Sequence, residues 1–277
     1  MAIGVYRILK KRPLHHTVTL MEIEAPHVAR KALPGQFIIF RIDDEGERIP
    51  LTIAGYDRQK GSVTIIFQKV GATTRRLDEL NEGDSLLDFV GPLGEPSHLD
   101  GVQKACVIGG GLGVAIAWPQ AKALFEKGAR VDAIVGFRSK DLIILEEELA
   151  AASTALTVMT DDKGFVTQAL QAKLAAGETY DVVIAIGPLP MMKAVCEITR
   201  PYGIKTIVSM NPVMIDGTGM CGGCRITVGG ETRFACVDGP DFDGHLVDFD
   251  EAIRRSRMYQ KEEKESAHRC RLTGGVR

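Results

Sequence analysis

The chain has 277 residues, enough for about two domains that each bury a core. A quarter of its residues are charged, 45% are hydrophobic and the net charge is −2, an ordinary globular balance with no basic field for nucleic acid. The opening MAIGVYRILKKRPLHH lacks the apolar core of a secretory signal, and the longest apolar run, 105–118, is too short and glycine-rich to span a bilayer; a cytoplasmic protein with no membrane partner is expected.

From the N-terminus, short alternating, β-branched segments recur at 6–11, 17–25, 36–42, 50–57, 62–70 and 84–94. Pro34-Gly35, Asp44-Glu45-Gly46, Lys60-Gly61 and Glu82-Gly83-Asp84 separate them. Short strands at this spacing predict a small antiparallel barrel, with a brief helix at 77–83. The character then changes. Strands at 105–109, 131–137, 156–161, 181–187 and 204–210 alternate with helical stretches at 114–129, 142–153, 166–177 and 190–203. That alternation predicts a parallel sheet covered by helices on both faces. The fold expected is therefore a β-barrel plus α/β, with a small C-terminal module. The boundaries are 1–99 for the barrel, 100–212 for the α/β domain, 213–250 for the module and 251–277 for a charged tail. That tail reads as helical from Glu251 to about Arg271 and polar nearly all round, the pattern of a solvated helix or of an arm that docks on a partner.

The first strand of the sheet ends in VIGGGLGVA, with Gly109, Gly110, Gly111 and Gly113 at the turn into a helix. Glycines there let backbone N–H groups approach a pyrophosphate. The spacing is not G-x-G-x-x-G, and a tight turn requiring positive φ is the plainer explanation. Four glycines in five positions exceed that need. Thr160-Asp161-Asp162 and Gly187-Pro188 close two other strands, and ligands of open parallel sheets bind at those carboxyl ends. Arg138, which ends the strand 131–137, adds a positive charge that suits a 2′-phosphate.

After the sheet comes IDGTGMCGGCRITV, 215–228. Asp216, Cys221, Cys224 and Cys236 follow D-x4-C-x2-C-x11-C, the plant-type [2Fe-2S] spacing with its first cysteine replaced by aspartate. Intervening glycines supply N–H donors to sulfur. Zinc held by three cysteines and an aspartate, a disulfide, and a chance cluster are the alternatives. The segment 225–236 reads as a hairpin about Gly229-Gly230 that returns Cys236 to the loop. Cys106 and Cys196 sit in apolar contexts as core residues, Cys270 has no assignment, and the six histidines are scattered, with no acid–base pair.

The order of barrel, nucleotide-binding sheet and iron–sulfur segment resembles the ferredoxin–NADP reductase superfamily over almost the whole chain. Within it, ERIPLTIAGYD, GFRSKDLI, MNPVMIDGTGMCGGCR and FACVDGPDFDGHLVDFD resemble dihydroorotate dehydrogenase electron-transfer subunits. They resemble more closely the small subunits of NADH-dependent reduced-ferredoxin:NADP oxidoreductases. The resemblance implies FAD in the barrel, with Pro50, Leu51 and Thr52 along the flavin ring. Arg48 is one residue upstream of the superfamily's arginine, where Ile49 stands. Gly71, Thr73 and Thr74 correspond to the turn at the pyrophosphate. It implies NAD(H) on the sheet, a [2Fe-2S] cluster on Asp216 and the three cysteines, and an NAD(P)H-dependent flavin iron–sulfur oxidoreductase subunit without an acid–base residue. The implied partner is a larger flavoprotein subunit with [4Fe-4S] clusters, NADP(H) and ferredoxin chemistry, the pair carrying out electron bifurcation. Delivery to a dihydroorotate dehydrogenase core, or a zinc-stabilised redox-sensing protein without turnover, stand as alternatives.

Overall fold

A computed structural model describes residues 6–258; Cys270 and the tail beyond Met258 lie outside them. Seven strands form the first sheet: β1 (Tyr6–His15), β2 (Val18–Glu24), β3 (Phe37–Arg41), β4 (Ile49–Asp57), β5 (Ser62–Gln68), β6 (Ser85–Leu86) and β7 (Asp88–Leu93). They pair antiparallel in the order β6-β1-β2-β5-β4-β3-β7. The edge strands β6 and β7 are separated in the chain by Leu87 alone, whose N–H reaches the carbonyls of Arg41 and Ile42. The chain itself thus bridges the open side of the barrel. Phe40, Phe67, Phe89 and Ile65 fill its interior.

Two helices decorate the barrel. α1 (Pro26–Lys31) is absent from the sequence reading; Pro26 presets φ at its first turn, and Val28 and Ala29 are buried. α2 (Ala72–Glu79) begins five residues before the brief helix expected at 77–83. Thr74 explains the shift, because its Oγ1 accepts the N–H groups of Val70 and Gly71 and closes the first turn.

The second sheet begins with β8 (Lys104–Gly110), α3 (Gly113–Glu126) and β9 (Arg130–Phe137). It continues through α4 (Glu146–Ala151), β10 (Ala155–Thr160), α5 (Val166–Ala175), β11 (Val182–Ile186), α6 (Leu189–Thr199) and β12 (Lys205–Ser209). These strands are parallel, in the order β10-β9-β8-β11-β12. The order reverses between β8 and β11, which opens a crevice there at their carboxyl ends. α4 is shorter than the helical run expected at 142–153, because Leu145 takes φ 55° and the chain at Ile144 and Leu145 packs inward instead.

The C-terminal module is a hairpin, β13 (Arg225–Val228) and β14 (Glu231–Phe234), followed by β15 (Asp241–Asp243). β15 pairs antiparallel with β12, so the module is woven into the sheet rather than appended to it. α7 (Phe249–Arg255) starts two residues before the expected charged helix, with Asp248 Oδ1 accepting the Glu251 N–H at 2.8 Å. It is not polar all round: Phe249 and Ala252 are buried against the protein's own core, and Arg255 donates to the Gly223 carbonyl. One apolar core runs from Phe37 and Ile39 of the barrel, through Cys106, Ile108 and Cys196 of the sheet, to Cys224, Ile226 and Cys236 of the module. Burial pushes the Cys196 thiol up to about 12 and the Cys106 thiol higher still, which leaves both unreactive.

Candidate functional site

Gly113 is where α3 meets β11. A Cβ there would stand 2.3 Å from the Ile186 carbonyl oxygen, so only glycine lets the helix start this close to the sheet. Gly109 serves the same approach, since a Cβ on it would lie 2.9 Å from Val114 Cα. Gly111 differs: its φ is +55° and a Cβ would meet no atom within 4 Å. It faces a groove of about 470 Å³. Gly110, Gly111 and Gly113 form one wall of this groove, Arg138 closes the end of β9, and Gly187 and Pro188 close the end of β11. Among the residues expected on strand ends, Asp161 does not join them. It follows β10 at the sheet edge, two strands from the switch point.

The opposite wall comes from the barrel, through His15, Val18 and Gln68. Ser209, the last residue of β12, and Asn211 just beyond it complete it. None of these was foreseen. The strand-end rule, applied to β12 as it was to β8, β10 and β11, finds Ser209 and Asn211; His15 and Gln68 are far away in sequence and no local pattern marks them. Desolvation, reinforced by His16, lowers the His15 pKa, which keeps the imidazole neutral in the groove.

Beside the groove lies an apolar pocket. Pro50, Leu51 and Thr52 of β4 form one side, with Phe37, Ala54 and Ile66. Leu112, Ile116, Ser209 and Asn211 line both cavities, so the two adjoin across these four residues. Met214 and Pro240, from the C-terminal module, close the pocket. Arg48 stands outside it, and its Nε donates to the Ile215 carbonyl at 2.9 Å, tying the start of β4 to the cysteine loop. Gly71, Thr73 and Thr74 line neither cavity. The Thr73 hydroxyl donates to Glu47 and the Thr74 hydroxyl caps its own helix, so neither is free for phosphate. What this turn offers an anion is the backbone N–H end of α2.

The cysteine loop is held against the barrel at Gly217, φ +77°, where a Cβ would stand 2.7 Å from Ile39 Cδ1. Its potential ligands fall into two pairs. Cys224 and Cys236 are buried with their Sγ atoms 3.2 Å apart, well beyond the ~2.05 Å of a disulfide. Asp216 and Cys221 are the second pair, linked through the Cys221 N–H to Asp216 Oδ2 at 2.6 Å. Oδ1 accepts the Thr218 N–H at 2.8 Å. These backbone donors, Thr218 first, hold the carboxyl below the usual aspartate range and keep it an anionic donor; each oxygen retains a lone pair for a metal. Cys236 is pushed up to about 12 by burial and by Cys224, so its thiolate forms only with a cation beside it. Among the described residues no three such side chains converge as the ligands of a single ion would. Two pairs suit a two-iron cluster, in which each iron takes two protein ligands, better than tetrahedral zinc.

Residues 211–248 match the family described as the iron-sulfur cluster binding domain of dihydroorotate dehydrogenase B. The dihydroorotate dehydrogenase B (NAD(+)) electron transfer subunit homolog of Thermotoga maritima is 43% identical over 273 residues, 97% of this chain and 96% of its own. The electron transfer subunit of dihydroorotate dehydrogenase B (NAD(+)) from Geobacillus sp. is 30% identical over 249 residues, 85% of this chain and 94% of its own. A chain in the solved structure of an NADH-dependent reduced ferredoxin-NADP oxidoreductase, described for flavin-based electron bifurcation, superposes with a TM-score of 0.91. It is 42% identical, and the match covers 96% of this chain and 98% of that one.

Proposed function

The chain belongs to the family of dihydroorotate dehydrogenase B electron-transfer subunits and their homologues, and on that premise we propose that it is the NAD(H)-using electron-transfer subunit of a flavin-based oxidoreductase. FAD occupies the barrel-side pocket, NAD(H) the groove, and a [2Fe-2S] cluster the cysteine loop. One observation carries this reading: the pocket shares four lining residues with the groove on one side and is walled by Met214 and Pro240 of the cysteine module on the other. Three cofactor sites are thereby contiguous. When bound, the flavin exchanges electron pairs with the nicotinamide and single electrons with the cluster.

The residues then have separate tasks. Pro50, Leu51 and Thr52 hold the flavin ring, and the N–H end of α2 at Gly71 supports its pyrophosphate. Gly110, Gly111 and Gly113 admit the dinucleotide phosphates, Gly109 lets α3 start close to the sheet, and Gly187 and Pro188 bring the nicotinamide end to the pocket. Hydride transfer needs no side-chain acid or base. Arg138 binds the adenosine end; NAD(H) is chosen over NADP(H) because both electron-transfer-subunit relatives above carry NAD(+) alone in their names. Asp216 with Cys221, and Cys224 with Cys236, hold the two irons.

Among the described residues no helix is long and apolar enough to cross a membrane. The relatives named as electron transfer subunits serve a larger assembly, and the reading extends to a cytoplasmic heterodimer with a larger [4Fe-4S] flavoprotein subunit. That subunit would handle NADP(H) and ferredoxin and complete a bifurcating pair. Supporting this, Cys221 is exposed beside Met220, itself 87% exposed, so one edge of the cluster site faces outward for electron exit. Delivery to a dihydroorotate dehydrogenase core fits less well, given 42% identity to the bifurcating complex's chain against 30% to the Geobacillus subunit.

The full chain, purified without oxygen, is expected to show flavin and iron–sulfur absorbance and to bleach in both on adding NADH. A colourless zinc protein, or colour indifferent to NADH, would overturn the reading. For the aspartate ligand, Asp216→Cys is expected to keep the cluster and lower its midpoint potential, because a thiolate donates more electron density to iron. Asp216→Ala should lower iron retention. Identical potentials and EPR spectra in Asp216→Cys and parent would show that Asp216 does not bind iron.

A further inference from the structure

The segment GPDFDGHLVDFD, 239–250, holds a carboxyl group with no part in the chemistry above. Asp241 begins β15, where the cluster module joins the sheet. Its Oδ2 accepts hydrogen bonds from Ser97 Oγ at 2.6 Å and Gln120 Nε2 at 3.1 Å. Ser97 lies on the segment between barrel and sheet, and Gln120 is fully buried on α3. Ser209, at the end of β12, pairs directly with Asp241 in the register of the two strands. One residue therefore joins barrel linker, helix, sheet and module. Ser209 lines both the apolar pocket and the groove, so the joint stands directly behind the wall that they share.

Two oxygens at this joint have no donor. Asp241 Oδ1 and Gln120 Oε1 are sealed from solvent, and neither receives a hydrogen bond. An ionised carboxylate only accepts, so it satisfies neither. A proton on Oδ1 makes the acid a donor and allows acid and amide to pair through both of their polar ends. Burial acts in the same sense: desolvation, the largest influence, holds this carboxyl above the ordinary aspartate value against the pull of the neutral polar groups around it. From β12 and α3 only the neutral Ser209 and Gln120 face it. From the linker come Ser97 and His98, and a positive His98 pulls the other way.

We propose that Asp241 is a positioning residue for electron transfer that works as a neutral, protonated acid, locking the flavin-pocket wall, the nicotinamide groove and the cluster module in one arrangement. The proposal rests on the reading of those cavities as cofactor sites. An ionised Asp241 places a buried negative charge behind the pocket and disfavours each electron that arrives there.

The test uses the full chain and Asp241→Asn, whose amide imitates the neutral acid. The parent's stabilising contribution from this carboxyl is complete below the ordinary aspartate value of about 3.9 and is lost as pH rises through its higher folded value. The Asn variant does not titrate there. Its thermal midpoint should gain on the parent as pH rises between those values, by up to about tenfold in the folding constant per pH unit. With FAD bound, the flavin midpoint potentials of the two proteins should coincide at low pH, and the parent's should become the more negative as Asp241 ionises. A parent flavin potential more negative than that of Asp241→Asn by the same amount at every pH, with a constant gap in thermal midpoint, means that Asp241 is always charged and overturns the proposal. A shift in thermal midpoint alone means a purely structural joint and also overturns it. A chain that takes up no FAD sinks the cofactor reading instead, while the thermal comparison still decides the protonated joint.

Discussion

Cys224→Ala is expected to empty the iron–sulfur site while leaving the fold standing. Cys224 is 1% exposed, and its sulfur lies 3.2 Å from that of Cys236, so the pair offers two donors to one iron. Alanine leaves that iron a single protein ligand. A cluster short of a ligand on this side would not be retained. The backbone support is untouched, since the Ala235 N–H bonds to the residue-224 carbonyl and not to its side chain. Removing one buried sulfur costs only about 1–2 kcal/mol of stability. Iron should fall from about two per chain toward none, with the flavin retained. Cys221→Ala should also lose iron, from the exposed side of the loop. Cys196→Ala is the control, because that thiol belongs to the core beneath α6 and its removal should leave the iron content unchanged. Full iron in Cys224→Ala would remove Cys224 from the ligand set.

Gly111→Val is expected to cost about a hundredfold in NADH-driven flavin reduction, with FAD and iron contents unchanged. The left-handed φ of +55° makes any side chain there unfavourable by about 1–2 kcal/mol. No neighbour lies within 4 Å of a Cβ, so the fold tolerates the substitution and the methyl groups project into the groove. Gly113→Ala makes the contrast. Its Cβ would collide with the Ile186 carbonyl at 2.3 Å, so the damage should appear as a lower thermal midpoint of the whole sheet. Stopped-flow reduction and thermal scans on the two variants separate the effects. Loss of FAD from Gly111→Val with NADH binding intact would exchange the ligands assigned to the two cavities.

Local sequence by itself determined the strands, most of the helices and the chemistry of the cysteine loop. The period of two in the first hundred residues and the strand–helix alternation after them follow from which faces must be buried, and each is written in neighbouring residues. The D-x4-C-x2-C-x11-C spacing is also local, because a loop and one hairpin suffice to gather its four side chains. The start of α2 was misplaced because a threonine cap at Thr74 outweighed the polar run that follows it. Only the tertiary structure decided where distant pieces meet. It brought His15 and Gln68 of the barrel across from the glycine turn, left Asp161 at the sheet edge and turned Arg48 toward the cysteine loop. It also made β15 a strand of the α/β sheet, which put Asp241 behind the shared wall of the two cavities. The physical reason is that periodicity records burial and not the identity of the covering surface. Which residues face one another across a crevice depends on strand order and on the closure of the barrel, and these are set by the packing of the whole core.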